Sequence, residues 1–184
     1  MIIHLKKTVN SADAARLAAE NKAFHLVSQG TDVLVTGSGV KEVPAALEAH
    51  TEQFWVFPND MQLASRTYRQ ETREVKIGNV TVGGKSGNTI VISGPCSVES
   101  EEQIRESSDL LKSLGLTSLR GGCYKPRTSP YSFQGMGLEG LKLLAKMREE
   151  YGFSVVTEAR DATHIDEIIE HADVIQVGAK AMYD

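Results

Sequence analysis

From Thr89 onward, short apolar runs alternate with segments of helical spacing, and this alternation restricts the fold more than any other feature of the chain. Apolar runs at 90–92, 116–119, 154–157 and 174–177 read as strands. Between them, three sets of apolar or small residues recur at helical intervals: Ile104, Ser107, Leu111 and Leu114; Leu141, Leu144 and Ala145; Ile165, Ile168, Ile169 and Ala172. Ser100-Glu101-Glu102-Gln103 is a capping-box sequence that opens the first of these helices. The second spans about 138–150, and Asp161 is placed to cap the third. Strands alternating with helices build a parallel sheet in an α/β fold.

Residues 1–58 follow a different order. Strands are expected at 2–5, 24–27, 32–36 and 54–57, with a tight turn at Gly30-Thr31. Asn10 or Ser11 caps a helix that carries Ala14, Leu17 and Ala18 on one face. A second helix presents Val43, Ala46 and Leu47, with Pro44 in its first turn. The order β-α-β-β-α-β is that of a ferredoxin-like unit. A polar stretch at 65–73 follows as a linker or short helix. Segments 74–77 and 80–82 then form a hairpin around Gly78-Asn79. The domain boundary falls near residue 70, giving units 1–70 and 71–184. Gly83-Gly84-Lys85-Ser86-Gly87 lacks phosphate-loop spacing and reads as a connection.

Side chains alternate across a strand, so parity decides what meets at its exit. Cys96 shares parity with Ile90, Ile92 and Gly94. Arg120 shares it with Leu116 and Ser118, Glu158 with Ser154 and Val156, and Lys180 with Val174, Gln176 and Gly178. Each lies at or just past the C-terminal end of its strand, the edge where parallel α/β barrels place their active sites. Lys125 and Arg127 follow Arg120 on one glycine- and proline-bearing loop, so three cations fall within eight positions. Guanidinium forks and a lysine suit a small molecule with several negative charges. Each residue also has an ordinary reading: Cys96 as small core filling, Arg120 as a surface charge, and Glu158 paired with Lys180.

The formal net charge is -4, which argues against general nucleic-acid or membrane-surface binding and makes the basic loop a local feature. Two cysteines, Cys96 and Cys123, fit no zinc or disulfide framework. No run approaches transmembrane length and no signal peptide is evident, so a cytoplasmic protein is the expectation.

The strings GPCSVES at 94–100, LRGGCYKPRTSPYSFQG at 119–135 and VVTEA at 155–159 closely resemble the 3-deoxy-D-arabino-heptulosonate 7-phosphate synthases. VIQVGAK at 174–180 matches more loosely. KPRTS separates that family from the related 3-deoxy-octulosonate 8-phosphate synthases, which carry an asparagine-containing variant of the loop. The N-terminal unit is similar to the regulatory extension of one branch. The resemblance implies a transferase of the shikimate pathway that condenses phosphoenolpyruvate with erythrose 4-phosphate and releases phosphate. It also implies a divalent metal cation such as Mn, Fe or Zn, an aromatic amino-acid effector and a homo-oligomer.

Carried over by residue, the resemblance makes Cys96 a metal ligand. Arg120 and Lys125 would bind phosphoenolpyruvate, with Lys125 also acting as acid or electrostatic partner. Arg127 and Thr128, with Pro126 shaping the loop, would hold the aldehyde substrate or its phosphate, and Glu158 would position a water. Lys180 stands where many members have arginine, and Cys123 where alanine is common. With both cysteines near the strand exits, an oxidation-sensitive pair is a further expectation. His164 and His171 are expected to face solvent.

Four strand–helix units, the last without its helix, make half of a TIM (β/α)8 barrel. The family's other metal ligands lie in the half not present. The chain therefore reads as an N-terminal portion, inactive without the rest. The sequence leaves two further readings open: an effector-binding fragment without catalysis, and the octulosonate activity.

Overall fold

The computed structural model describes residues 1–125 and 127–182, and the chain divides into two compact units, Met1–Thr72 and Arg73–Asp184. Together they make an α/β fold with one antiparallel sheet, one hairpin and one parallel sheet.

The first unit contains β1 (Ile2–Leu5), α1 (Ser11–Glu20), β2 (Phe24–Ser28), β3 (Thr31–Val35), α2 (Ala45–Glu48) and β4 (Thr51–Trp55). Its sheet has the order β2-β3-β1-β4, with every neighbour antiparallel. Strand alternation divides the apolar residues between two faces. Ile3, Leu5 and Leu34 pack with Ala14, Leu17 and Ala18 of α1. Ile2 and Val33 lie on the other face with Phe57, Trp55 and Tyr68. Asn10 caps α1 by accepting from the Asp13 amide at 2.9 Å.

Three local expectations in this unit need correction. The tight turn is Gln29-Gly30, with φ of 53° and 76°, so Thr31 belongs to β3. Two left-handed positions match the twist of a two-residue hairpin. The second helix is a single turn that buries Leu47 and leaves Ala46 exposed. The last strand is 51–55 rather than 54–57, because its ladder with β1 pairs Ile2 with Trp55 and His4 with Gln53. Phe57 lies past the ladder and is buried against Ile2 and Val33.

The second unit opens with the hairpin β5 (Glu74–Ile77) and β6 (Val80–Gly83), turning at Gly78 with φ 56°. It continues through α3 (Glu101–Ser113), β7 (Ser118–Arg120), α4 (Leu138–Tyr151), β8 (Ser154–Ala159), a 3-10 turn (Ala162–His164), α5 (Ile165–His171) and β9 (Val174–Val177). Strands β7, β8 and β9 are parallel neighbours in that order, as in part of a (β/α) barrel. Leu119, Val155 and Ala159 face the helices and pack with Ile104, Leu111, Leu141, Leu144, Met147 and Ile168. Ser100 caps α3 by accepting from the Gln103 amide at 3.1 Å, and Gln103 in turn accepts from the Glu99 amide. On α3 Ser108 is buried rather than Ser107, and Leu114 is exposed.

The expected strand at 90–92 is not formed. Only Ser93 pairs, in a parallel bridge to Leu119 with the Arg120 amide donating to its carbonyl at 2.7 Å. Strand β7 offers just three residues to pair with. Gly94 then takes φ 146°, and Pro95 has no amide to donate. The segment still runs beside β7, since the Val98 amide donates to Gly122 at 3.0 Å.

Candidate active site

Gly94 is the point at which the chain crosses the end of β7. A Cβ there would lie 2.0 Å from the Arg120 carbonyl oxygen, so the approach requires glycine on contact as well as on φ. This approach brings the Cys96 carbonyl beneath the cations. Lys125 Nζ donates to it at 2.8 Å and Arg120 Nη1 at 3.1 Å, and Arg120 Nη1 also donates to the Pro95 carbonyl at 3.1 Å. Lys125 Nζ further lies 3.3 Å from Cys96 Sγ. The hydrogen bond from Lys125 is the main reason the exposed Cys96 thiol sits below its ordinary pKa.

Across the strands, Arg120 Nη2 approaches Glu158 Oε2 at 3.7 Å, with both side chains largely buried. Glu158 lies over Gly178, where a Cβ would come 2.0 Å from its Oε1. Two cations and one carboxylate therefore share a strand-end corner with a net positive charge, which attracts anions. The arrangement can hold an anionic group and place an ammonium donor, with three N–H bonds, beside it.

The loop that carries these groups is closed by backbone bonds. The Lys125 amide donates to Gln134 at 2.9 Å, and the Gly137 amide donates to Cys123 at 3.0 Å. Gln134 Nε2 donates to the Ser129 and Ser132 carbonyls at 3.0 and 2.9 Å. Arg127 and Thr128 are exposed on this loop, and Lys180 is exposed after β9. Pro126 lies outside the described residues. The structure thus brings Cys96, Arg120, Lys125 and Glu158 together, and leaves Arg127, Thr128 and Lys180 at the surface.

Two sequence expectations fail here. Cys123 is fully buried in the core and its thiol is pushed up to about 12 by that burial, so it does not form a reactive pair with exposed Cys96. His164 does not face solvent: its ring stacks on Tyr124 with centroids 3.9 Å apart. Position on a polar helix start concealed that contact, since the partner lies 40 residues earlier in the loop. Tyr124 belongs to the loop string, yet sequence reasoning gave it no role.

Among the described residues, no three His, Cys, Asp or Glu side chains come together as a metal centre requires. Cys96 alone does not make one. No helix of the described residues is long and apolar enough to cross a membrane.

The strand-end corner and its cationic loop place net positive charge at the exits of a parallel α/β sheet. The model of the DAHP synthetase I family matches residues 59–184, and the chain belongs to that family of aldolases. It is 45% identical over 119 residues to a phospho-2-dehydro-3-deoxyheptonate aldolase of Thermotoga maritima, covering 65% of this chain and 35% of the relative. A 2-dehydro-3-deoxyphosphooctonate aldolase of Fusobacterium nucleatum is 34% identical over 116 residues, covering 59% and 41%. The crystal structure of the Thermotoga maritima DAHP synthase superposes with TM-score 0.61 at 33% identity, over 97% of this chain and 54% of that one. The chain therefore spans little more than a third to a half of the relatives it matches.

Proposed function

We propose that this chain carries the phosphoenolpyruvate-binding part of a 3-deoxy-7-phosphoheptulonate synthase, which joins phosphoenolpyruvate to erythrose 4-phosphate. The observation that carries this reading is a single carbonyl, that of Cys96, accepting from both Lys125 and Arg120. Two cations held this close repel each other, and a substrate carboxylate or phosphate between them relieves the repulsion. In this reading Arg120 grips phosphoenolpyruvate. The enol carbon adds to the aldehyde carbon, and Lys125 gives a proton to the aldehyde oxygen as it takes up negative charge. A water positioned by Glu158 supplies the oxygen that replaces the departing phosphate. Arg127, Thr128 and Lys180, exposed at the same strand ends, bind the second phosphorylated substrate. Fixing two anions side by side supplies much of the rate advantage.

Metal dependence, Cys96 as one ligand of a divalent cation and a homo-oligomeric assembly belong to the family reading. The described residues do not make a metal centre by themselves, and no step above runs through one. The fold reading is the first half of a TIM barrel behind a ferredoxin-like domain. The order β2-β3-β1-β4 supports the latter. An aromatic amino acid is the proposed effector of that domain. A cavity of about 290 Å³ lined by His4, Gln53, Trp55, Tyr68 and Arg69 supports this, with ring faces for the side chain and a guanidinium for the carboxylate. Trp55 is the single tryptophan, so its fluorescence during tyrosine or phenylalanine titration reads occupancy. No change with either amino acid sinks the effector reading.

Calorimetric titration with phosphoenolpyruvate tests the main reading. The chain is expected to bind it, and Lys125→Met to weaken binding about 10- to 100-fold, the worth of a charge-assisted hydrogen bond. An unmodified chain that shows no heat overturns the reading. The octulosonate alternative is favoured by relatives of the Fusobacterium nucleatum type, but at lower identity. The mass of the sugar-acid product, seven or eight carbons, decides between them.

A further inference from the structure

Lys125 is preceded by Tyr124, whose side chain points away from the cationic corner into a second group of polar residues. The Tyr124 ring stacks on the His164 imidazole at 3.9 Å with 9° between planes. The phenol donates to Glu167 in the first turn of α5. A Cβ at Gly137 would sit 3.3 Å from the ring. Arg160 Nη2 lies 3.1 Å from His164 Nε2. A guanidinium only donates, so Nε2 accepts and the ring proton sits on Nδ1. Arg160 Nε donates in turn to Asp161 at 2.9 Å, and Asp161 caps the 3-10 turn by accepting from the Thr163 amide.

The connected set Asp161, Arg160, His164, Tyr124 and Glu167 thus runs from the exit of β8 to the residue beside Lys125. It links the strand that supplies Glu158 to the loop that supplies the ammonium. We infer that His164 and Glu167 are positioning residues: through Tyr124 they hold the backbone from which Lys125 reaches the Cys96 carbonyl. Neither touches the corner itself. This inference rests on the proposed phosphoenolpyruvate site for its functional meaning, but its geometry stands apart from that reading. A stacked ring and a partly buried phenol bond restrain two torsions of Tyr124, and a shift of an ångström at Lys125 is enough to lose binding or rate.

The test uses His164→Ala, His164→Phe, Glu167→Ala and Glu167→Gln in the whole chain. Two readouts are taken: amide hydrogen exchange, and calorimetric affinity for phosphoenolpyruvate. His164→Ala and Glu167→Ala are expected to speed exchange at the Lys125 and Gly137 amides about tenfold. The Ser154 and Asp173 amides, bonded to Thr117 and Val155, should keep their rates. His164→Phe retains the stack and Glu167→Gln retains the acceptor, so both should return the loop to within twofold of wild type. Phosphoenolpyruvate affinity should fall and recover in step. Unchanged loop exchange in both alanine variants overturns the inference, as does faster exchange with unchanged affinity. A wild-type chain that binds no phosphoenolpyruvate counts against the proposed function instead, and the exchange rates still decide whether His164 and Glu167 hold the loop.

Discussion

The two units solve burial in different ways. In Met1–Thr72 both faces of an antiparallel sheet carry apolar residues, with α1 packed on one face and Phe57 and Tyr68 on the other. In Arg73–Asp184 a parallel sheet is covered by helices on one face, and the opposite parity delivers Arg120, Glu158 and Gly178 to the strand exits. The first unit uses alternation for stability on both sides. The second gives one side to packing and leaves the other with charged groups at the strand exits. If that division is real, damage to the first unit's core should leave the cationic corner intact.

Leu34→Ala gives the largest expected effect. Leu34 is fully buried between β1 and α1, and truncating it should cost the first unit about 2–5 kcal/mol. Denaturant unfolding followed by Trp55 fluorescence reads that unit, because Trp55 lies on β4. Phosphoenolpyruvate affinity of the variant, measured where both units remain folded, should match wild type. A parallel loss of affinity would mean that the corner depends on the first unit and would break the comparison.

The two cysteines sharpen it within the second unit. Cys96 is exposed with its thiol lowered by Lys125, whereas Cys123 is buried with its thiol at about 12. At pH 8 the latter is roughly one ten-thousandth thiolate, and the thiolate is the reacting form. Iodoacetamide should modify Cys96 at least about tenfold faster, as read by peptide mass spectrometry. Lys125→Met should slow Cys96 by removing the hydrogen bond that stabilises its thiolate. Comparable rates at the two positions would contradict the site geometry.

Local signals with their partners close by were legible in the sequence. Ser100 and Gln103 cap α3, Gly78 turns the hairpin, and the strands expected at 154–157 and 174–177 fall within β8 and β9. Parity along those strands foresaw that Arg120 and Glu158 share a face. Several failures depended on a partner distant in sequence. The apolar block 54–57 looked like a strand, but the ladder with Ile2 and His4 set the register at 51–55. Residues 90–92 had strand composition and lacked a long neighbour. His164 had the setting of a surface residue, and only the fold brings Tyr124 onto its ring.

The smallest expected effect concerns that same ring. Burial first, and then the Glu167 carboxylate as acceptor, push the Tyr124 phenol up to about 12 from its usual value near 10. Above pH 10 the unfolded chain releases this proton while the folded chain keeps it, so the folded state binds more protons. Stability then falls as pH rises through roughly 10 to 12, and the contribution is fully present below that window. Tyr124→Phe has no proton to lose. It should be less stable than wild type at pH 7 by about 1 kcal/mol, the worth of one hydrogen bond, and should lose less stability between pH 10 and 12. Other tyrosines and lysines titrate in the same range, so the difference between the two chains carries the result. Equal alkaline slopes would mean that the phenol is not held by burial and Glu167, and would remove Tyr124 from the loop's restraints.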